Sequence, residues 1–172
     1  MLREAPVEAA VALWAFDAGG TVQRVQHALK YGGQPGLGGP LGALLGRALA
    51  VDGVRADLVA PVPLSRVRQL ERGYNQAETV AGSVAVALGA TPVPGLLVRT
   101  RATRRQATLS RPARVANVEG AFALSPGADV RGRRVLLVDD VLTTGATAAA
   151  AARALAEGGA AVSVGALALA GA

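Results

Sequence analysis

The chain has no cysteine, a single histidine and very few aromatic residues. Its 172 residues include one Trp, two Tyr and two Phe, which together make 3% of the sequence. Without thiols, the chain can form neither disulfide bonds nor cysteine-ligated metal centres. One histidine is not a metal site without further ligands, so we interpret His27 as structural. The shortage of rings also argues against a surface that binds single-stranded nucleic acid by base stacking.

Apolar runs of membrane-spanning length are missing as well. The longest uncharged run, residues 79–98, contains Gly82, Gly89, Pro92 and Pro94, so we predict a helix, a turn and a strand there. The first ten residues, MLREAPVEAA, carry acids and lack the apolar core of a secretory signal. We therefore expect a cytoplasmic protein with no membrane partner.

Basic residues outnumber acidic ones, although lysine is almost absent. Eighteen Lys and Arg against 12 Asp and Glu give a net charge of +6, and Lys30 is the only lysine. This balance favours a polyanionic partner, either nucleic acid or a phosphorylated small molecule. No acid lies between Glu78 and Glu119, and a solvated loop is the alternative interpretation of the arginines there. Six of them fall within 16 residues: Arg99, Arg101, Arg104, Arg105, Arg111 and Arg114.

What the chain does have is an apolar run that leads through two acids into a turn of small residues. Residues 135–147 read VLLVDDVLTTGAT, and an alanine-rich segment continues to Glu157. The apolar run predicts a buried parallel strand, and the alanines predict the helix that follows it. Backbone amides of such a turn can converge on a phosphate at the start of the helix. The turn residues are Thr143, Thr144, Gly145, Ala146 and Thr147.

Asp139 and Asp140 lie between this strand and the turn. Carboxylates can accept hydrogen bonds from vicinal sugar hydroxyls or hold Mg²⁺. Neighbours in a strand point to opposite faces, so both acids can serve one ligand only if the chain is already leaving the strand. Phosphate and diol together suggest a ribose 5-phosphate. A receiver domain would need the acids near the chain start and a later basic residue, and the Walker phosphate-loop motif is absent.

A second strand signal, residues 57–63, precedes another polar and cationic stretch, residues 65–76. Open α/β sheets bind ligands beyond the carboxyl ends of their strands, which favours a functional role for this stretch. The alternative is a helix start capped by Ser65 with its arginines in solvent. Gly73 interrupts the helical pattern, which continues to about Leu88. Upstream, we predict a strand over 10–16, helices over 21–31 and 41–50, and a flexible joint over 32–40.

Four blocks of the sequence together resemble one known family. They read HALKYGG at 27–33, PVPLSRVRQLERGYNQAE at 61–78, LLVRTRATRRQATLSRPARVANVEGAF at 96–122, and VLLVDDVLTTGAT at 135–147. In this order they are similar to the ComF family, the competence-protein-F-like type I phosphoribosyltransferases. The resemblance implies an α/β fold, a mainly parallel central sheet flanked by helices. It further implies a single domain over 1–172, with a small N-terminal hood in 1–50 and a core in 51–172.

The same resemblance implies roles for individual residues. Asp139 and Asp140 would be catalytic and hold the ribose hydroxyls, and residues 143–147 would bind the 5-phosphate. A pyrophosphate-binding loop would contain Pro63, Leu64, Ser65, Arg66, Arg68 and Arg72. A flexible lid would contain Arg99, Arg101, Arg104, Arg105, Gln106, Arg111 and Arg114.

The implied ligands are phosphoribosyl pyrophosphate, Mg²⁺ and a nitrogenous acceptor whose identity the sequence does not reveal. Mg²⁺ would be held through phosphoribosyl pyrophosphate, with Asp139 and Asp140 as further ligands. An alternative is a non-catalytic accessory protein of DNA uptake that senses phosphoribosyl pyrophosphate or a nucleotide and binds nucleic acid through its basic surface. A homodimer is a reasonable expectation for either. Many members of the family also carry a cysteine-rich zinc module, which is absent from these residues.

Overall fold

A computed structural model describes residues 2–31, 34–101 and 117–170 of the chain. Its centre is a five-stranded sheet in which every pair of neighbours is parallel, in the order β1-β7-β6-β2-β3. Strands β4 and β5 form a separate antiparallel pair. The strands are β1 (Ala9–Ala15), β2 (Leu58–Pro61), β3 (Thr91–Pro92), β4 (Leu97–Arg99), β5 (Phe122–Leu124), β6 (Arg134–Leu142) and β7 (Ala161–Leu169).

Five α-helices lie wholly within the described residues. They are α1 (Thr21–Tyr31), α2 (Gly38–Val51), α3 (Arg66–Arg72), α4 (Gln76–Leu88) and α5 (Ala146–Glu157). Short 3-10 turns occur at Leu2–Glu4 and Pro35–Leu37. None of the described helices is long and apolar enough to span a membrane.

The apolar run of β6 is buried on both sides of the sheet. Val135 and Leu137 pack in a cluster with alanines of α5, whereas Leu136 and Val138 pack with residues of α2 and α4. A strand that is covered by helices on both faces needs consecutive apolar residues rather than an alternating pattern. The predicted α/β fold with a mainly parallel central sheet is therefore confirmed.

Helices α2 and α4 approach each other closely because glycines of α2 face α4. A Cβ atom at Gly42 would lie 2.4 Å from the carbonyl oxygen of Val80, and one at Gly38 would lie 2.0 Å from Thr79 Oγ1. The prediction of a flexible joint over 32–40 is wrong for residues 38–40, which form the first turn of α2. Glycine-rich sequence indicated freedom of the backbone, but here it permits close helix packing.

Residues expected to form the hood also contribute to the main sheet. Strand β1 pairs in parallel with β7, and α2 packs on the face of the sheet beside α4. Helix α1 contributes Leu29 to the same cluster of buried residues. Its last turn reaches Asp140, so this helix borders the predicted ligand site.

Candidate functional site

The two acids lie near the carboxyl end of β6, but the strand continues beyond them to Leu142. Asp139 is half-buried and lines a small pocket together with residues of the following turn. Asp140 is 5% exposed and pairs with a side chain from α1. The acids are therefore still within the strand, and alternation gives them different neighbours. The Asp139 side chain bends onto the adjacent backbone, since its Oδ1 accepts a hydrogen bond from the Asp140 backbone N–H at 2.8 Å.

Asp140 is surrounded by polar groups from two helices. The Lys30 ammonium Nζ lies 2.5 Å from Asp140 Oδ2. The Gln76 side chain, from the first turn of α4, hydrogen-bonds to the same carboxylate. Gln26 Nε2 donates to the Asp140 main-chain oxygen at 2.9 Å. Burying a carboxylate is costly unless it is paired and hydrogen-bonded, and Lys30 and Gln76 supply those partners.

The two carboxyl groups differ in their protonation behaviour. Burial raises the pKa of Asp139 well above its usual range, and the negative charge of Asp140 beside it raises it further. Burial would also raise the pKa of Asp140, but the Lys30 ammonium and the hydrogen bonds from Asp139 and Gln76 together lower the pKa of Asp140 below its usual value. The ion pair with Lys30 therefore favours the charged form of Asp140, whereas burial and the neighbouring negative charge disfavour the charged form of Asp139.

The small-residue turn connects β6 to α5 as predicted. Gly145 has a φ of 72° and immediately precedes the first residue of α5. The Ala146 N–H donates to Thr144 Oγ1 at 3.4 Å, while Thr143 is exposed. A helix leaves its first backbone N–H groups without intrahelical acceptors, which suits an anion. A pocket of about 30 Å³ lies beside the turn and is lined by Asp139, Val141, Leu142, Thr143, Gly145, Ala146, Thr147 and Ala148.

The predicted pyrophosphate loop follows β2 and leads into α3. Pro63 and Leu64 are half-buried, and Ser65 caps α3, its hydroxyl accepting a hydrogen bond from the Arg68 N–H at 3.4 Å. The capping interpretation of Ser65 is thus confirmed, whereas its role towards a ligand stays a prediction. Asn75 fixes the other end of the segment, because its side chain caps α4 and donates to the Val62 carbonyl oxygen at 3.1 Å.

The arginines of this loop have different environments. Arg66 is exposed, whereas Arg68 and Arg72 are half-buried. Arg72 Nη2 donates to the Tyr31 hydroxyl at 3.2 Å, and its guanidinium lies 5.0 Å from the centre of that ring. Arg72 is therefore tied to the end of α1, on the same helical turn as Lys30.

Two arginines of the predicted lid are described. Burial lowers the pKa of Arg99, the positive charge of Arg68 lowers it further, and Asp139 opposes the shift. The structure thus places Arg99 within electrostatic reach of Asp139, and Arg68 within electrostatic reach of Arg99. Exposed Arg101 donates to the Glu119 carbonyl oxygen at 2.7 Å. The remaining predicted lid residues lie outside the described part of the chain: Arg104, Arg105, Gln106, Arg111 and Arg114.

Sequence reasoning missed the residues that surround Asp140. Lys30, Gln26 and Gln76 come from α1 and α4, which are distant from the acids in sequence. The available signal was the block at 27–33, which contains the single lysine of the chain. His27 belongs to the same block, but it is exposed and its ring lies 5.3 Å from that of Tyr31.

The acid pair offers oxygen ligands that suit Mg²⁺, but only two of them. No group of three or more His, Cys, Asp or Glu side chains that could hold a metal ion occurs among the described residues. Mg²⁺ keeps several waters and is commonly bound through one or two carboxylates and the phosphates of a ligand. The donor set therefore fits a cation that arrives with a polyphosphate rather than a metal bound by the protein alone.

A domain-family match and two similar proteins indicate the same family for this chain. Residues 74–172 match the phosphoribosyl transferase domain model. Competence protein F of Haemophilus influenzae is 38% identical over 92 residues, which cover 53% of this chain and 40% of that protein. The DNA utilization protein YhgH of Escherichia coli is 38% identical over 105 residues, 61% of this chain and 45% of that protein. The matched region is thus less than half of either relative.

A solved structure supports the same assignment. The glutamine phosphoribosylpyrophosphate amidotransferase of B. subtilis, complexed with ADP and GMP, superposes with a TM-score of 0.50 at 27% identity. The superposition covers 80% of this chain and 30% of that enzyme. The chain therefore belongs to the phosphoribosyltransferase domain family, and among its members it is similar to competence protein F.

Proposed function

We propose that the chain binds phosphoribosyl pyrophosphate with Mg²⁺ and transfers its ribose 5-phosphate to a nitrogenous acceptor. The observation that carries this proposal is the direct run of β6, through Asp139 and Asp140, into the turn that starts α5. Hydroxyl-binding carboxylates and phosphate-binding amides are thus separated by only a few residues, which suits a five-carbon sugar phosphate. The solved relative named for phosphoribosylpyrophosphate supports the same ligand.

The surrounding charges suit the reaction. Transfer breaks the bond between the anomeric carbon and pyrophosphate and forms a bond from that carbon to the acceptor nitrogen, whose proton is lost. Negative charge develops on the departing pyrophosphate, and in this proposal Arg99, which interacts electrostatically with Asp139, stabilises it together with the neighbouring Arg68. Mg²⁺, when bound, would neutralise further charge on the pyrophosphate, with Asp139 and Asp140 as the nearby protein oxygens.

Calorimetry tests the ligand. Phosphoribosyl pyrophosphate with Mg²⁺ should bind to the wild-type chain, and the double variant Asp139→Asn, Asp140→Asn should lose that binding. Asp129→Asn is the control, because Asp129 is an exposed acid that pairs with Arg131. Equal affinity in the wild-type chain and the double variant would exclude the acid pair as the binding site.

Pyrophosphate release then tests the reaction. Release that requires one particular nitrogenous base would establish transfer and identify the acceptor. Release without any base would instead show hydrolysis. Binding without release under any of these conditions would contradict the transferase proposal and leave a sensing role.

A second function is favoured by the names of two relatives, competence protein F and DNA utilization protein. In this alternative the site binds phosphoribosyl pyrophosphate or a nucleotide as a signal, and the basic surface contacts nucleic acid. Binding to DNA through phosphate contacts weakens steeply as salt increases. Steeply salt-dependent DNA binding together with no pyrophosphate release would support this alternative over transfer.

A further inference from the structure

Lys30 forms an ion pair at the centre of the candidate site. Its Nζ lies 2.5 Å from Asp140 Oδ2, and the Lys30 and Asp140 side chains are 22% and 7% exposed. A carboxylate in this position would otherwise be a ligand for a divalent cation. The ammonium occupies one side of the carboxylate and supplies the positive charge that such a cation would bring.

Several contacts hold Lys30 in place. The Tyr31 hydroxyl accepts a hydrogen bond from Arg72, and the Tyr74 hydroxyl donates to the Leu29 carbonyl oxygen. Gln26, one turn earlier in α1, donates to the Asp140 main chain. The last two turns of α1 are therefore fastened to β6 and to the segment after β2. Lys30 therefore lies beside Asp140 on a helix whose position is fixed by these contacts.

Other charges near the acid pair are also positive. Arg99 interacts electrostatically with Asp139, and Arg68 interacts with Arg99. Two acids are thus accompanied by Lys30 and two arginines, so the local net charge is not negative before a ligand binds. Such a site repels a free divalent cation and attracts a polyphosphate.

The site retains acceptor capacity that Lys30 does not use. Gln26 and Gln76 are 4% and 2% exposed, and within the described residues their Oε1 atoms have no hydrogen-bond partner. The Gln26 amide nitrogen donates to the Asp140 main-chain oxygen, and the Gln76 side chain hydrogen-bonds to the Asp140 carboxylate. Removal of the ammonium would therefore leave the buried Asp140 carboxylate without its counter-ion, and carboxylate oxygens are hard donors that suit a divalent cation.

We propose that Lys30 is an internal counter-ion of Asp140 that keeps a free divalent cation out of the acid pair, so that the cation enters only with a polyphosphate ligand. The second half of this inference rests on the proposed function, because it takes the ligand to be phosphoribosyl pyrophosphate. Lys30 is in this view a positioning residue and takes no part in bond making.

Mn²⁺ alone is the probe, with its binding followed by calorimetry and by the magnetic resonance signal of the free ion. Wild-type protein should bind Mn²⁺ weakly. Lys30→Met, which keeps the length of the side chain without its charge, should bind Mn²⁺ more tightly by roughly tenfold or more, given the strength of unit-charge interactions at these separations. Lys30→Arg should resemble the wild-type chain.

Two further variants test whether the gain in Mn²⁺ affinity comes from removing the Lys30 charge beside Asp140. Arg133→Gln removes an exposed positive charge at the opposite end of β6, about 20 Å away at roughly 3.3 Å per residue, and should leave Mn²⁺ affinity unchanged. Adding Asp140→Asn to Lys30→Met should abolish the gain. Tight Mn²⁺ binding by the wild-type chain, or an equal gain in Arg133→Gln and Lys30→Met, would overturn the proposal.

Circular dichroism and thermal unfolding report whether Lys30→Met folds. If it does not, Asp140→Asn in the wild-type background decides: the proposal expects unchanged Mn²⁺ binding, since the carboxylate was already neutralised, and a clear loss would refute it. Binding of phosphoribosyl pyrophosphate with Mn²⁺ is measured separately. Its absence would contradict the proposed function, while the comparison with Mn²⁺ alone would still decide the role of Lys30.

Discussion

At the scale of single residues, Gly145 meets two requirements for a residue without a side chain in the turn over 143–147. Its φ of 72° is strained for any residue with a Cβ atom. That Cβ would also lie 2.2 Å from Leu2 Cδ1, so the N-terminal segment packs directly against the turn. Both requirements act on the loop that is expected to bind phosphate, so stability and ligand affinity should change together here.

Gly145→Ala should lower the free energy of unfolding by about 1–3 kcal/mol, through backbone strain and the displaced Leu2 side chain. It should also weaken binding of phosphoribosyl pyrophosphate. Urea unfolding and calorimetry measure the two effects. Gly73→Ala is the control, because Gly73 has a φ of 77° and open space where its Cβ would lie. If both variants lose the same stability, contact with Leu2 makes no contribution.

Asp57 provides a prediction of pH dependence away from the site. Hydrogen bonds from Arg134, including Nη2 to Asp57 Oδ1 at 2.6 Å, lower the pKa of Asp57 to about 2. A lowered pKa in the folded state stabilises the protein above the unfolded value of 3.8, and this contribution is lost as the pH falls through about 2. The loss therefore belongs to the acid range and not to neutral pH.

Asp57→Asn should accordingly destabilise the chain most near neutral pH. The difference in unfolding free energy between the wild-type chain and this variant should shrink as the pH decreases from about 4 towards 2. Urea unfolding across this range gives the difference directly. Asp52→Asn controls for the loss of one exposed negative charge. A difference that stays constant down to the lowest pH would contradict the assigned ion pair.

At the scale of elements, the packing of α2 on α4 depends on a row of glycines. Gly38, Gly42 and Gly46 are buried, and a Cβ at each would lie within 2.5 Å of an atom of α4. Glycine within a helix normally costs about 1 kcal/mol relative to alanine. Here the closeness of the two helices offsets that cost.

Gly42→Ala should therefore destabilise the protein although alanine is the better helix former. The added methyl group would meet the Val80 carbonyl oxygen, a backbone atom that cannot rotate away, and we expect a loss of about 1–3 kcal/mol. Gly82→Ala is the matched control, since Gly82 lies within α4 and has nothing within 4 Å of its Cβ position. It should gain up to about 1 kcal/mol. Thermal unfolding of both variants tests the contrast, which would fail if Gly42→Ala were also stabilising.

Local pattern was sufficient to predict the elements whose signals are local. The predicted helix over 21–31 agrees with α1, and the apolar run before Asp139 correctly predicts the buried part of β6. Gly73 ends α3 with a φ of 77° and separates it from α4, as its interruption of the helical pattern suggested. These features depend on neighbouring residues, which a single sequence displays.

Features that depend on contacts between distant segments were not predictable in the same way. Lys30 and Asp140 are 110 residues apart in sequence and meet only because α1 crosses the end of β6. The first turn of α2 was predicted as a joint, since glycines indicate flexibility unless the opposing helix is known. Identifying the acids was therefore easier than identifying the residues that control their charge.

At the scale of the whole molecule, the charge distribution favours an anionic ligand. The chain carries +6; Lys30 pairs with Asp140, and Arg99, with Arg68 near it, interacts electrostatically with Asp139. A ligand that binds only the folded state raises the free energy of unfolding by about 2.7 kcal/mol at a concentration of 100 times its Kd. In a chain of this size each kcal/mol raises Tm by roughly 2–4 °C.

Phosphoribosyl pyrophosphate with Mg²⁺, at about 100 times its Kd, should therefore raise Tm by roughly 5–10 °C. Most of this shift should require the whole ligand, because the proposed function assigns the 5-phosphate to the turn and the pyrophosphate to Arg68 and Arg99. Ribose 5-phosphate at the same concentration should give a smaller shift, and Asp139→Asn with Asp140→Asn should give almost none. Differential scanning calorimetry measures all three. An equal shift with ribose 5-phosphate would mean that the arginines do not bind the pyrophosphate, and an equal shift in the double variant would place the ligand elsewhere on the basic surface.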